Sequence, residues 1–426
     1  MPRSRRIGAA AAVAAALGVT ALASPGHAGG IAFTAPQRLT IDTEAGGYEP
    51  GVIVDKFGTI FATAHKENTT LALSPDSRAP GKVRSMSWLW YSTDRGKTFQ
   101  NLPGMTPAQE QNFEFGDEGD LASDATGHVY FVDTNVADVS FSRWKDASGT
   151  LTLESTRPAL PAGEPVDDRP WIAAHGDGVV LYAGNEGDKQ SYPVQHSGEA
   201  YGDGSGPGRY TIYMSTNHGD SFDNIGIGLK DSGWCRPTAD KRPGSKIFFV
   251  GCTNDNGTMY AYVSTNDGKY WSRYLMGKYV GGGSQDFPST AIGPDGTFYL
   301  MYNEKDSDKV DALMLYTSKD RGRHWTKRNI LPNPGGKLGY DWFDVSAKGT
   351  LGIGYGYQPE GEKTYNIYAG TAKPNGTFHT AIVDKNVPPH GDFFQVAFGP
   401  DDKLNIVWEV QRVGILGSDV YYARQK

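Results

Sequence analysis

The feature that most constrains this chain is a short phrase, Ser-x-Asp/Asn-x-Gly-x-x-aromatic, that occurs four times: at 92–99 (STDRGKTF), 215–222 (STNHGDSF), 264–271 (STNDGKYW) and 318–325 (SKDRGRHW). A run of β-branched and aromatic residues leads into each copy, and Asp or Asn followed by Gly supplies the backbone conformations that a tight turn requires. Each copy therefore predicts a strand-turn-strand corner. A corner used four times predicts an architecture of repeated antiparallel units.

The phrase resembles the Asp-box, or BNR, repeat of the sialidase superfamily and other β-propellers, where such boxes sit on the rim, far from the active site. A second repeat sets the number of blades. Seven segments share a polar opening residue, a strand, a turn and a returning strand; they begin at Tyr48, Asp117, Asp168, Cys235, Asp286, Asp341 and Asp392. Six have equal length, which pairs Tyr48 with His65, Asp117 with Thr134, Asp168 with Asn185, Cys235 with Cys252, Asp286 with Asn303 and Asp392 with Glu409. The segment from Asp341 has a shorter turn. Each segment supplies the two inner strands of a blade, so the expected fold is an all-β, seven-bladed β-propeller with Asp-box repeats. The 55 glycines, 25 prolines and 12% aromatics suit it, and no helical period is sustained after residue 30. The last unit stops one strand short. Residues 31–40 (IAFTAPQRLT) are expected to close the seventh blade, because an open ring would leave exposed sheet edges.

Residues 1–28 read as a secretory signal peptide: Arg3, Arg5 and Arg6, an Ala-rich apolar run, then small residues ending at Ala28. Ser4-Arg5-Arg6 is similar to the start of a twin-arginine signal. The remainder, 29–426, reads as one propeller domain, secreted and monomeric. Removing three arginines and no acids takes the formal charge from −7 to −10, which disfavours nucleic acid and anionic membranes as partners. The two cysteines, Cys235 and Cys252, fall on opposed positions of one hairpin, and in an oxidising compartment they predict a disulfide.

In a propeller the opening residues ring one end of the central channel, and five of these seven are Asp. The repeated Asp117, Asp168, Asp286, Asp341 and Asp392 either accept backbone hydrogen bonds in every blade or together hold a cation, with calcium the natural candidate. The following residues are Glu49, Glu118, Arg169 and Arg236 in blades one to four, and Phe287, Trp342 and Phe393 in blades five to seven. Arg169 and Arg236 have the planar fork that grips a carboxylate; the same charges could instead pair between blades, as Glu118 with Arg169. Trp342 and its aromatic neighbours form either a wall for a sugar ring or inter-blade core. Where the second strands end stand His65, Glu186, Glu304, Tyr357, Glu409 and Arg412. Glu304 and Glu409 are candidates for the two carboxylates of glycoside hydrolysis.

The resemblance implies an exo-glycosidase that binds a carboxylated sugar through arginines and attacks with a Tyr activated by Glu. This chain departs from the family pattern: the first blade opens on Glu49-Pro50 without the usual arginine, and Arg-Pro appears instead at Arg169-Pro170 and Arg236-Pro237. Seven-bladed propellers also include lyases of uronate polysaccharides, for which Tyr48, His65, Arg169 and Arg236 offer a base and a carboxylate clamp. The leading expectation is a sialidase-like exo-glycosidase acting on an acidic extracellular glycan. The alternatives are a uronate-polysaccharide lyase and a non-catalytic glycan- or protein-binding propeller.

Overall fold

Seven antiparallel meanders of four strands account for every strand of the structure, a computed structural model that describes residues 30–40, 47–66, 87–103, 118–134, 139–159, 168–185, 210–229, 234–254, 257–280, 287–305, 311–331, 336–388, 394–411 and 418–426. The blades are built on inner strands Gly47–Val54, Glu118–Ser123, Asp168–His175, Trp234–Ala239, Ser289–Ile292, Lys337–Val345 and Gln395–Phe398. The fold is an all-β, seven-bladed propeller, and no helix occurs among the described residues. The proposed signal peptide, Asp117, Glu186, Asp286, Asp392, Phe393 and Arg412 lie outside the described residues; for Tyr48, Glu118, Asp168 and Arg169 only the backbone is described.

The N-terminal strand does close the ring. Gln37–Arg38 pairs with Ser418–Arg424 as the fourth strand of the seventh blade, with Gln37 opposite Tyr422. A bridge from Phe33 to Gln425 and a bond from the Leu39 amide to the Val420 carbonyl (2.7 Å) extend the seal. Leu39 and Phe33 are buried there, so closure removes apolar surface from water as well as pairing an edge.

All four repeated corners have one geometry. The Ser hydroxyl bonds the Asp or Asn side chain two residues on and accepts the Gly amide, at 2.9 Å for Gly96, 2.8 Å for Gly219, 2.9 Å for Gly268 and 2.9 Å for Gly322. The residue before each Gly (Arg95, His218, Asp267, Arg321) is left-handed, as is the Gly itself. A Cβ on the Gly would run into the preceding blade at three corners, into Tyr422 at Gly96, Phe141 at Gly219 and Met214 at Gly268, and would press on Val263 at Gly322. The glycine is therefore needed for both turn conformation and seating against the neighbouring blade.

Inner strands are latched across three seams by side chains. Asp120 accepts the Ile172 amide (3.1 Å), Asp344 the Phe398 amide (2.8 Å) and Gln395 the Val52 amide (3.1 Å). The expected pairings of Tyr48 with His65, Asp168 with Asn185 and Cys235 with Cys252 are present. In the second blade it is Glu118, not Asp117, that faces Thr134. Bulges follow Tyr48 and Asp168, where Pro50 and Pro170 have no amide to give the ladder, and the described strand of the second blade has none. Asp341 also sits deeper than its sequence position suggests, because its strand begins at Lys337 and bulges before reaching it. Cys235 and Cys252 form the expected disulfide.

Candidate functional site

All seven inner strands line an axial cavity that is open to solvent at its mouth. Its principal charged feature is Arg236. The guanidinium reaches from the fourth blade to the second, where its two terminal nitrogens lie 2.7 and 3.4 Å from the two oxygens of Asp120. One face lies 4.1 Å from the ring centre of Trp171, and Trp342 stands at 5.0 Å. Trp171 in turn packs edge-on against Phe287 at 5.2 Å, which meets Trp234 at 4.8 Å. The forked donor anticipated for a substrate carboxylate is thus turned to an internal one. Trp342, only 5% exposed, stacks on that arginine within the core.

A second cluster forms where the first and seventh blades meet. Glu49 occupies the bulge after Tyr48 with φ of +49°, a left-handed conformation costly for a residue with a side chain. Its carboxylate lies 3.3 Å from Nε2 of His65, and its amide donates to Oε2 of Glu409 at 3.1 Å. All three residues are buried. Burial pushes the His65 imidazole down to about 3, so the ring is neutral at physiological pH. The backbone of Tyr48 stands directly opposite His65 in the ladder. Three of the catalytic candidates, Tyr48, His65 and Glu409, are thereby gathered at one seam.

Glu304 is not among them. Fully buried in the fifth blade, it accepts from Tyr316 Oη (2.7 Å) and the Val280 amide (3.2 Å) and pairs with Lys327 Nζ (2.7 Å). It ties the fifth blade together and to the segment that follows the outer strand of the fourth. Asp341, of the Asp ring, is buried, and desolvation raises its carboxyl well above the usual range.

Sequence reasoning missed Asp120, Trp171 and the weight of Glu49. Asp120 was detectable as an acid inside an otherwise apolar inner strand, and Glu49 as a charge immediately before a strand proline. Their partners come from other blades, so spacing along the chain could not supply them.

No family model matches the chain, and no curated protein matches it. Solved structures do match. A protein of unknown function from Dyadobacter fermentans is 13% identical, covering 93% of this chain and 99% of that one, with a TM-score of 0.52. A polysaccharide lyase, an ulvan lyase bound to a glucuronic acid–sulfated rhamnose saccharide, is 9% identical over 88% of this chain and 94% of its own, with a TM-score of 0.51. The NanB sialidase of Streptococcus pneumoniae is similar at 12% identity, 91% and 70% coverage and a TM-score of 0.46.

Proposed function

We propose that this chain is a secreted, carbohydrate-active propeller of the Asp-box type that acts on an acidic glycan at the end of the channel where the inner strands begin. The observation that carries the reading is the Glu49–His65–Glu409 cluster. A left-handed glutamate, buried against a neutral histidine and a second carboxylate from another blade, is more strained than closing two blades requires. Strain of that kind concentrates where chemistry is done. In the leading version Tyr48 is the nucleophile, Glu409 and Glu49 manage its proton, and an Asp of the ring protonates the leaving oxygen. With Arg236 turned to Asp120, the substrate carboxylate falls to Arg169 and Arg412.

A uronate lyase is the second reading, favoured by the position of His65 opposite Tyr48 and by the fold likeness to an ulvan lyase. A histidine held neutral down to about 3 is a weak base, which ranks proton abstraction by His65 below hydrolysis. The test is a screen of the purified chain against sialosides, uronate-containing polysaccharides and neutral glycans. Hydrolysis releases reducing sugar with no new chromophore; a lyase product carries a C4–C5 double bond and absorbs in the ultraviolet. Binding without turnover would leave the non-catalytic reading, and neither binding nor turnover would end the proposal.

A further inference from the structure

We propose that the seam between the second and third blades, at the end of the molecule where the inner strands finish, carries a divalent transition-metal site of the zinc type built from Asp124, His128, Asp177 and His218. Each residue offers a ligand atom, and the four atoms lie within 4.8 Å of one another. Asp124 Oδ2 lies 3.2 Å from His128 Nδ1 and 3.7 Å from His218 Nδ1; the other nitrogen of His218, Nε2, lies 3.3 Å from Asp177 Oδ1, and the ion would take only one of the two. Bonds of 2.0–2.1 Å in a tetrahedral zinc site place neighbouring ligands about 3.4 Å apart, so the two contacts of Asp124 Oδ2 are already near the spacing of a metal shell, and the four atoms need small side-chain shifts to complete it.

The supporting residues hold the ligands. Oδ1 of Asp124 accepts the amides of Thr126, Gly127 and His128 at 2.8, 2.9 and 3.0 Å, which fixes the carboxylate with Oδ2 toward the imidazoles. Tyr130 Oη (2.6 Å) and the Gly178 amide (3.1 Å) hold that second oxygen, the outer contacts that orient a ligating carboxylate. The two imidazole centres are 4.4 Å apart. His218 is the left-handed residue of its corner, a position that other corners fill with Arg or Asp, so the turn itself does not ask for histidine. Its ring rests on Gly178, where any Cβ would collide with it. Nearby Arg143 is paired with Glu154 at 2.8 Å and Asp220 at 3.0 Å, so its charge is offset. Asp177 is 74% and His218 28% exposed, giving the ion a route in from solvent. Since Asp124 and His128 belong to one blade and Asp177 and His218 to the next, the metal would staple the seam.

The experiment uses the full mature chain without an affinity tag, stripped with chelator. Zinc is titrated calorimetrically, Tm is recorded with and without it, and cobalt is added as a chromophoric substitute. One equivalent should bind with micromolar or better affinity and raise Tm, and cobalt should give the visible bands of a tetrahedral ion. His218→Asn, compatible with a left-handed backbone, and Asp177→Asn, on the surface, should each weaken binding at least tenfold. His324→Asn, at an exposed corner elsewhere, should not. Absence of stoichiometric uptake, or uptake unchanged in both seam variants, would overturn the site whether or not the chain turns over a glycan.

Discussion

Arg236 touches residues of three other blades: Asp120 of the second, Trp171 of the third and Trp342 of the sixth. Lysine at this position keeps the charge but loses the second prong and most of the stacking. Arg236→Lys should therefore cost about 2 to 3 kcal/mol of stability, read as a lower midpoint in denaturant. Arg169→Lys should instead weaken acidic-glycan binding while leaving the midpoint in place. His65 makes a prediction in pH. Its folded-state value, about 3, lies below the ordinary 6.5, so between those limits the unfolded chain binds a proton that the native chain refuses, and stability falls as pH drops from about 6.5 toward 3. Asp55, raised to about 7 by burial and by Asp146, acts in the opposite sense, because the native state gains its proton first as pH falls. The clean quantity is thus the difference between parent and His65→Gln: any advantage the parent holds near pH 7 should narrow on acidification, as the cost of keeping His65 unprotonated, on the order of a few kcal/mol, builds up in the parent alone. An unchanged difference from pH 7 to 4 would mean that His65 titrates normally. At this scale the residue types of the site were legible in the sequence and their partners were not, because Arg236 meets Asp120 only after the ring has formed.

Corners and hairpins were the most legible elements. Their turn chemistry is local, and equal spacing alone paired Cys235 with Cys252. The missed register of the second blade and the depth of Asp341 are bulge effects, and a bulge depends on which amides find partners across the sheet. The corner glycines separate local conformation from packing. Gly219 has φ of +78° and sits against Phe141, whereas Gly361 has φ of +83° with nothing near its missing Cβ. Gly361→Ala should cost about 1 kcal/mol for conformation alone, and Gly219→Ala about 2 to 4 kcal/mol because Phe141 must also move. Equal costs in urea unfolding would show that blade-to-blade seating contributes nothing at these corners.

The whole molecule is a ring closed by its own N-terminal strand, joined to the first blade where Gly47 meets Ser418. Deleting residues 31–40 should remove about 3 to 5 kcal/mol through the lost burial of Phe33 and Leu39 and leave the Ser418–Arg424 edge open to association. An unchanged Tm would argue that the seventh blade is complete with three strands. Ring architecture was readable from sequence because repeats declare themselves; the site was not, because the ring brings Glu49 and Glu409, 360 residues apart, into one hydrogen bond. The central claim is that this seam does acid–base chemistry on an acidic glycan. The most direct measurement is kcat of Glu409→Gln on the best substrate of the screen, with Tm recorded on the same preparation. The amide keeps an acceptor for the Glu49 amide but cannot take up a proton, so kcat should fall by about 10²- to 10⁴-fold while Tm shifts by only a few degrees. A variant that turns over the glycan at the parent rate would contradict the assignment.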